Sequence, residues 1–361
     1  MAKSTRVVVV EDSATVRERL IAVLDAVPEI EVVGAAADGK RAIELCRQLR
    51  PDVITMDMML PLMSGLSATE YIMAHCPTPI LIVSASINRG ELFKIYEALA
   101  AGAVDVLEKP TGTEEAGSWE RRLIAMVKLV ARIRVITHPR ARLSGLAVPQ
   151  ADAAPLFGGK NPAPRHYQVV AIGASTGGPG AVLEILRGLP DDFDIPILLV
   201  LHINEPFGTA FADWLDGQTS RPVAYAADGA PVAAGRVVVA PSDRHMIVRD
   251  GRVWLTRGAE RHSCRPSVDV LFESVAGEYG PAAAACLLTG MGRDGALGLL
   301  QIRQAGGLTI AQDEASSIVY GMPREAALLG AAAHVLRLCD IAPRLAALQG
   351  GVMKLAMEAR L

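Results

Sequence analysis

The sequence predicts an α/β protein made of two doubly wound parallel-sheet domains joined by a linker. Short apolar runs alternate with helical patterns, this alternation occurs in two separate series, and a proline-rich stretch without any period lies between them. The length agrees: 361 residues exceed one ordinary domain, at roughly 100 to 200 residues each. With 51% hydrophobic and 21% charged residues, the chain has enough apolar side chain for two cores.

In the first series the strand candidates are RVVVV at 6–10, EVVGAA at 31–36, DVITM at 52–56, PILIVSA at 79–85 and VDVLEK at 104–109. Helical patterns follow each of them, at 13–27, 39–49, 67–76, 91–102 and 119–135. Residues 137–166 then carry five prolines and no sustained period, the mark of a linker. The second series pairs QVVAIGAS with a helix at 179–189, IPILLVLH with one at 207–217, AAACLLTG with one at 294–306 and LTIAQ with one at 324–330. A β-rich insert at 237–256 and a segment at 267–280 stand inside it, and 340–361 reads as a closing amphipathic helix. The predicted boundaries are 1–125 for the first domain, 126–165 for the linker, beginning with the end of the last helix, and 166–361 for the second domain.

Charge follows the same division. Residues 1–125 hold 13 basic and 18 acidic side chains, 126–165 hold 7 and 1, and 166–361 hold 16 and 20. The total of −3 rules out attachment to nucleic acid through net charge, while the linker alone is strongly basic. It reads as a solvated tether, or as a bridge between acidic surfaces. Five dispersed cysteines without a C-x-x-C spacing indicate neither a disulfide framework nor a zinc site. The start of the chain leaves no room for a signal-peptide apolar region, and no run approaches the about 20 apolar residues of a membrane helix. A soluble, cytoplasmic protein is expected, with no membrane insertion.

Polar residues at strand ends carry the chemistry, because open α/β sheets bind ligands there. In the first domain Glu11 and Asp12 follow strand 1, Asp57 follows strand 3, Ser84 follows strand 4 and Lys109 follows strand 5. Clustered carboxylates need a cation among them, an all-oxygen set suits Mg²⁺, and a lysine opposite neutralises a phosphoryl group. In VVVVEDS, TMDMMLPLMSG, VSAS and EKP, this half closely resembles the receiver domain of two-component response regulators. The resemblance implies a (βα)5 receiver in which Asp57 is the phosphoacceptor and Glu11, Asp12, Asp57 and the Met59 carbonyl hold Mg²⁺. Ser84 is then the switch hydroxyl and Lys109 the phosphoryl contact. Val106 stands where that family commonly has a switch aromatic.

The second domain opens with VVAIGASTGGPG, which places Ser175 on a tight turn at a helix N-terminus where backbone N–H groups stabilise negative charge. By itself the turn reads equally as a nucleophile turn, a nucleotide loop or a plain tight turn. His202 ends the strand IPILLVLH, and Asp294 lies in TGMGRDG after another strand. Serine, histidine and carboxylate at strand ends are the components of a nucleophile, base and orienting acid. Spacing does not choose between Asp294 and Asp313 for the acid, and His245 competes with His202.

Together, AIGASTGG, LVLHI, RPSVDVLF, LLTGMGRDG and IAQDEASSIVYGMPREA resemble the catalytic domain of the chemotaxis protein-glutamate methylesterases. That resemblance implies a Rossmann-like hydrolytic domain that removes methyl groups from receptor glutamate esters, releases methanol and deamidates receptor glutamines. Ser175 is then the nucleophile, His202 the base, Asp294 the third member, and the Met291 N–H with an amide near Thr176 the oxyanion hole. It implies no cofactor for hydrolysis, chemoreceptors as substrate, a cognate histidine kinase as phosphodonor, and inhibition by the unphosphorylated receiver. Cys264 and Arg293 depart from the family pattern beside the expected site, with a bland structural role expected for Cys264. The rival readings are a non-enzymatic regulator binding a nucleotide or partner and a DNA-binding regulator, the latter without a basic recognition helix in the sequence.

Overall fold

The computed structural model describes residues 4–85, 88–110, 112, 115–133, 135, 166–203, 207–208 and 210–349. The chain divides into two compact units, Met1–Val148 and Pro149–Leu361. Most of the predicted linker and the end of the predicted closing helix, 350–361, lie outside the described residues.

The first unit contains β1 (Thr5–Val10), α1 (Ala14–Asp25), β2 (Ile30–Ala36), α2 (Gly39–Leu49), β3 (Val53–Met56) and α3 (Gly65–His75). It continues with β4 (Ile80–Ser84), α4 (Arg89–Ala100), β5 (Asp105–Glu108) and α5 (Ser118–Val130). The strands form one five-stranded sheet in the order β2-β1-β3-β4-β5 with all pairs parallel. Every residue of β3 and β4 is buried, which explains why these strands read as unbroken apolar runs rather than alternating ones. Helix starts are set by short polar caps: Asp38 accepts from the Arg41 N–H, Ser64 from Ser67 and Asn88 from Glu91. Strand order reverses at β1, so β2 and β3 flank it and a crevice opens at the carboxyl ends of β1 and β3.

The second unit contains β6 (Val169–Ala174), α6 (Gly178–Gly188), β7 (Ile197–Leu201), α7 (Phe211–Asp216), β8 (Val223–Tyr225) and β9 (Val237–Val239). After these come β10 (His245–Arg249), β11 (Arg252–Thr256), α8 (Val268–Tyr279), β12 (Ala283–Leu287) and α9 (Ala296–Gln304). The final elements are β13 (Leu308–Gln312), α10 (Met322–Leu328), β14 (His334–Leu336) and α11 (Leu338–Ala346). A seven-stranded parallel sheet runs β14-β13-β12-β6-β7-β9-β8, and its order reverses at β6.

The β-rich insert turns out to be two things. Its first residues form β9, which joins the main sheet beside β7, whereas β10 and β11 make a separate antiparallel hairpin. Asp250 and Gly251, both at positive φ, form the hairpin's two-residue turn, the combination that matches strand twist. Strands β8 and β14 escape a periodicity reading because three residues show no repeat.

Helix α8 packs directly on β6 because Gly173 has no side chain. A Cβ at Gly173 would lie 2.2 Å from Val268 Cγ1 and 3.1 Å from Leu287 Cδ1. Gly173→Ala should therefore destabilise the second unit by about 1–3 kcal/mol through overpacking, measured as a lower urea midpoint than wild type.

Candidate phosphoacceptor and hydrolytic sites

Parallel register brings the polar strand ends of the first unit together. Val10 pairs with Met56, which makes the following Glu11 and Asp57 neighbours, and Ser84 ends β4 next to β5. Lys109 Nζ lies 2.8 Å from Glu11 Oε2 and 2.9 Å from Asp57 Oδ2. Ser84 Oγ donates to Asp57 Oδ1 at 3.3 Å, and the Met58 N–H reaches the same oxygen at 2.7 Å. Glu11, Asp57 and Ser84 are buried while Asp12 is exposed.

Burial pushes the Glu11 carboxyl above its ordinary value, and the Lys109 ammonium offsets only part of that rise. For Lys109, burial pulls the ammonium down, but the Glu11 and Asp57 carboxylates outweigh it and hold the group above its ordinary value. Glu11, Asp12 and Asp57 each offer an oxygen within 4.8 Å of the others, a hard donor set that fits a divalent cation such as Mg²⁺. Met59 stands two residues beyond Asp57, with a side chain 44% exposed. Val106 is buried in β5 opposite Ile82, so no aromatic ring occupies that place.

In the second unit Ala174 pairs with Leu201, and the next residues are Ser175 and His202. Their backbones are tied by the His202 N–H donating to the Ala174 carbonyl at 2.9 Å. Ser175 donates its N–H to the Thr289 carbonyl at 3.0 Å, and Gly178 closes the turn on the Ser175 carbonyl at 2.7 Å. Gly177 sits at a φ of +77°, where a Cβ would meet Ile318 Cβ at 2.7 Å, so this turn requires glycine on two counts. Gly290 is constrained by crowding alone, since a Cβ there would lie 2.7 Å from Ser175 Cβ.

The imidazole of His202 is bonded through Nε2 to Asp294 Oδ2 at 2.9 Å. Its Nδ1 lies 3.8 Å from Cys264 Sγ. Among the described contacts, none joins His202 to Ser175 Oγ. The Cys264 thiol thus stands at the ring nitrogen that Asp294 does not hold. Asp294 is also held by the N-terminus of α8: Ser267 Oγ at 2.8 Å and the Asp269 N–H at 3.1 Å donate to Oδ1, and the Val268 N–H donates to Oδ2 at 2.7 Å.

Burial raises the Asp294 carboxyl, but the imidazole and the helix N–H groups more than reverse this and leave it below the ordinary value. For His202, burial favours the neutral ring, yet Asp294 and then Cys264 raise it to about 9.

The competing residues lie elsewhere. His245 is buried, with Nε2 3.0 Å from the Ala259 carbonyl and Nδ1 accepting the Ser267 N–H at 3.2 Å. Asp313 accepts from the Ser316 N–H at 3.0 Å and from its hydroxyl at 2.6 Å, within its own loop. Arg293 donates to His262 Nδ1 at 3.3 Å, and His262 Nε2 meets the buried Asp269 at 3.1 Å. A cavity of 590 Å³ opens on Cys264, Met291, Arg293 and Asp294, on the Asp294 side of the cluster and not at Ser175.

Two supporting residues escaped the sequence reading. Thr289 Oγ1 donates to the Thr176 carbonyl at 3.0 Å and accepts the Val319 N–H at 2.9 Å, which ties together the loops expected to form the oxyanion hole. Ser267 caps α8 and holds Asp294, and its place before an apolar helix is a cap signal that was available in the sequence. Ser267→Ala should cost about 2 kcal/mol by leaving a charged acceptor short of a buried donor, read from chemical denaturation with a normal fold by circular dichroism.

Two family models match the chain: the response regulator receiver domain over residues 7–117 and the CheB methylesterase over residues 170–345. A protein-glutamate methylesterase/protein-glutamine glutaminase of Anaeromyxobacter dehalogenans is 44% identical over 93% of this chain and 94% of its own. Another of the same name, from Syntrophus aciditrophicus, is 43% identical over 96% and 99%. Among solved structures, the CheB methylesterase catalytic domain of Thermotoga maritima is 35% identical, covering 50% of this chain and 98% of that one, with a TM-score of 0.49. With both halves matched in order and relatives similar over almost their full length, the chain belongs to the protein-glutamate methylesterase/protein-glutamine glutaminase (CheB) family.

Proposed function

We propose that this protein is a phosphorylation-controlled serine hydrolase that demethylates glutamate γ-methyl esters on chemoreceptors, releasing methanol, and deamidates receptor glutamines. The observation that supports this reading is that Ser175 and His202 follow adjacent strands where the order of one parallel sheet reverses, with the His202 ring bonded to Asp294.

Ser175 Oγ attacks the ester carbonyl carbon and gives its proton to the imidazole nitrogen that Asp294 does not hold. Asp294 fixes the ring and stabilises the imidazolium. The Met291 N–H and an amide near Thr176 receive the developing oxyanion. The imidazolium then protonates the departing methoxide, and water, deprotonated by the same ring, attacks the acyl carbon; the C–Oγ bond breaks and the ring returns that proton to Ser175 Oγ, freeing the carboxylic acid. An amide follows the same route with ammonia as leaving group, so one set of residues serves both activities.

In the receiver Asp57 accepts a phosphoryl group from a cognate histidine kinase. Lys109 and Ser84, each already in contact with Asp57, contact the transferred group. Glu11, Asp12 and Asp57, with the Met59 carbonyl, hold Mg²⁺, which when bound offsets charge on the phosphoryl oxygens. Hydrolysis uses no cofactor. The protein works in the cytoplasm without inserting into the membrane or binding nucleic acid, and phosphorylation relieves inhibition by the receiver.

Methanol release from methylated receptor should be abolished in Ser175→Ala. It should be raised by a small-molecule phosphodonor in wild type and unresponsive to that donor in Asp57→Asn. Nucleotide binding without any esterase turnover would instead favour a non-enzymatic regulator.

The raised His202 also sets a pH dependence. The ring must be neutral to take the serine proton, so kcat/KM should climb as pH rises toward about 9. Removing the thiol in Cys264→Ala should move that limb to lower pH, measured as a pH–rate profile. Stability runs the opposite way: the folded chain binds this proton more tightly, so the ion pair stabilises the fold fully below the unfolded value of 6.5 and is lost as pH rises through about 9.

A further inference from the structure

In the first unit two thiols meet at the ends of α2 and α3 opposite the phosphoacceptor loop. Gly39, at the start of α2, bonds the Met63 carbonyl, and Gly65, at the start of α3, packs against the Asp57 backbone. At the other end, Cys46 in α2 faces Cys76, the residue that caps α3, with sulfur atoms 3.6 Å apart. Both are free cysteines, Cys46 buried and Cys76 half-buried. Thr78 Oγ1 lies 3.3 Å from Cys46 Sγ and donates to the Cys76 carbonyl at 3.0 Å, fixing the geometry of the pair.

We infer that Cys46 and Cys76 are a reversible oxidation site that closes to an intramolecular disulfide joining α2 to α3. Sulfur atoms in contact at 3.6 Å need approach by only about 1.6 Å to bond, since a disulfide is about 2.0 Å long. The hydrogen-bonding contact with the Cys76 sulfur holds the Cys46 thiol below its ordinary value, which favours Cys46 as the attacking thiolate. The oxidant is a hydroperoxide.

The Cys46 thiolate attacks a peroxide oxygen, the O–O bond breaks, and Cys46 sulfenic acid and hydroxide form. Cys76 then attacks the Cys46 sulfur, the S–O bond breaks, the S–S bond forms, and a second hydroxide leaves. The two thiol protons convert the two hydroxides to water, so two thiols are oxidised and one peroxide is reduced. A reducing cytosol reopens such a bond, which suits a transient disulfide and not a permanent one.

The test treats the full-length chain with hydrogen peroxide, blocks residual thiols by alkylation after unfolding, and maps peptides without reduction. The free-thiol count should fall from five to three, with Cys46 and Cys76 in one cross-linked peptide that dithiothreitol releases. Cys76→Ser removes the resolving thiol, so the Cys46 sulfenic acid should persist and be trapped by dimedone. Circular dichroism of that variant confirms that the receiver is folded. Alkylation of both Cys46 and Cys76 after peroxide, or a cross-link from Cys76 to any other cysteine, overturns the assignment.

Discussion

A buried carboxylate, Asp294, sits where the N-terminus of α8 meets the imidazole of His202, and the second unit is organised around satisfying it. A charge taken out of water is costly unless donors surround it. Here the Ser267 hydroxyl, the Val268 and Asp269 N–H groups and the His202 ring supply them. The helix end that supplies three of them is itself held: the Ser267 N–H donates to the buried His245, and α8 approaches closely at Gly173 on β6. The net effect places Asp294 below its ordinary value in spite of burial, so the carboxylate is charged and available to orient the ring.

The receiver half solves a similar problem with a different donor. Glu11 and Asp57 are buried side by side at a sheet switch point, where the Lys109 ammonium reaches both, at 2.8 and 2.9 Å, and the N–H of Ser13, which caps α1, adds a donor to Glu11 at 3.3 Å. Burial still leaves Glu11 above its ordinary value, the condition under which a divalent cation is a welcome extra partner. Both sites arise because parallel strands end together. Register makes Val10 and Met56 neighbours in one sheet and Ala174 and Leu201 neighbours in the other, and the next residue on each strand is chemical.

Much of the fold was legible because buried parallel strands read as apolar runs and their crossover helices as amphipathic ones. What escaped was short or ambiguous in period. Strands β8 and β14 have three residues each, and β9 merges in sequence with a hairpin that belongs to another sheet. Thr289 also escaped, because a hydroxyl that holds a loop resembles any other threonine until its partner is known, whereas Ser267 carried a helix-cap signal and only its hold on Asp294 was hidden.

The sequence by itself determined the two-series architecture and which residue types stand at the strand ends, since both follow from local pattern and from the rule that ligands gather at carboxyl edges. Tertiary structure decided which of them meet. Asp294 and Asp313 are equally good strand-end carboxylates in the text, yet one bonds His202 and the other closes its own loop. Cys264 stands 62 residues from His202 along the chain and 3.8 Å away in space. Cys46 and Cys76 are likewise 30 residues apart in sequence and in contact in the fold. Hydrogen bonds and thiol contacts depend on distances of a few ångströms, and only the packing of helices on sheets sets those distances.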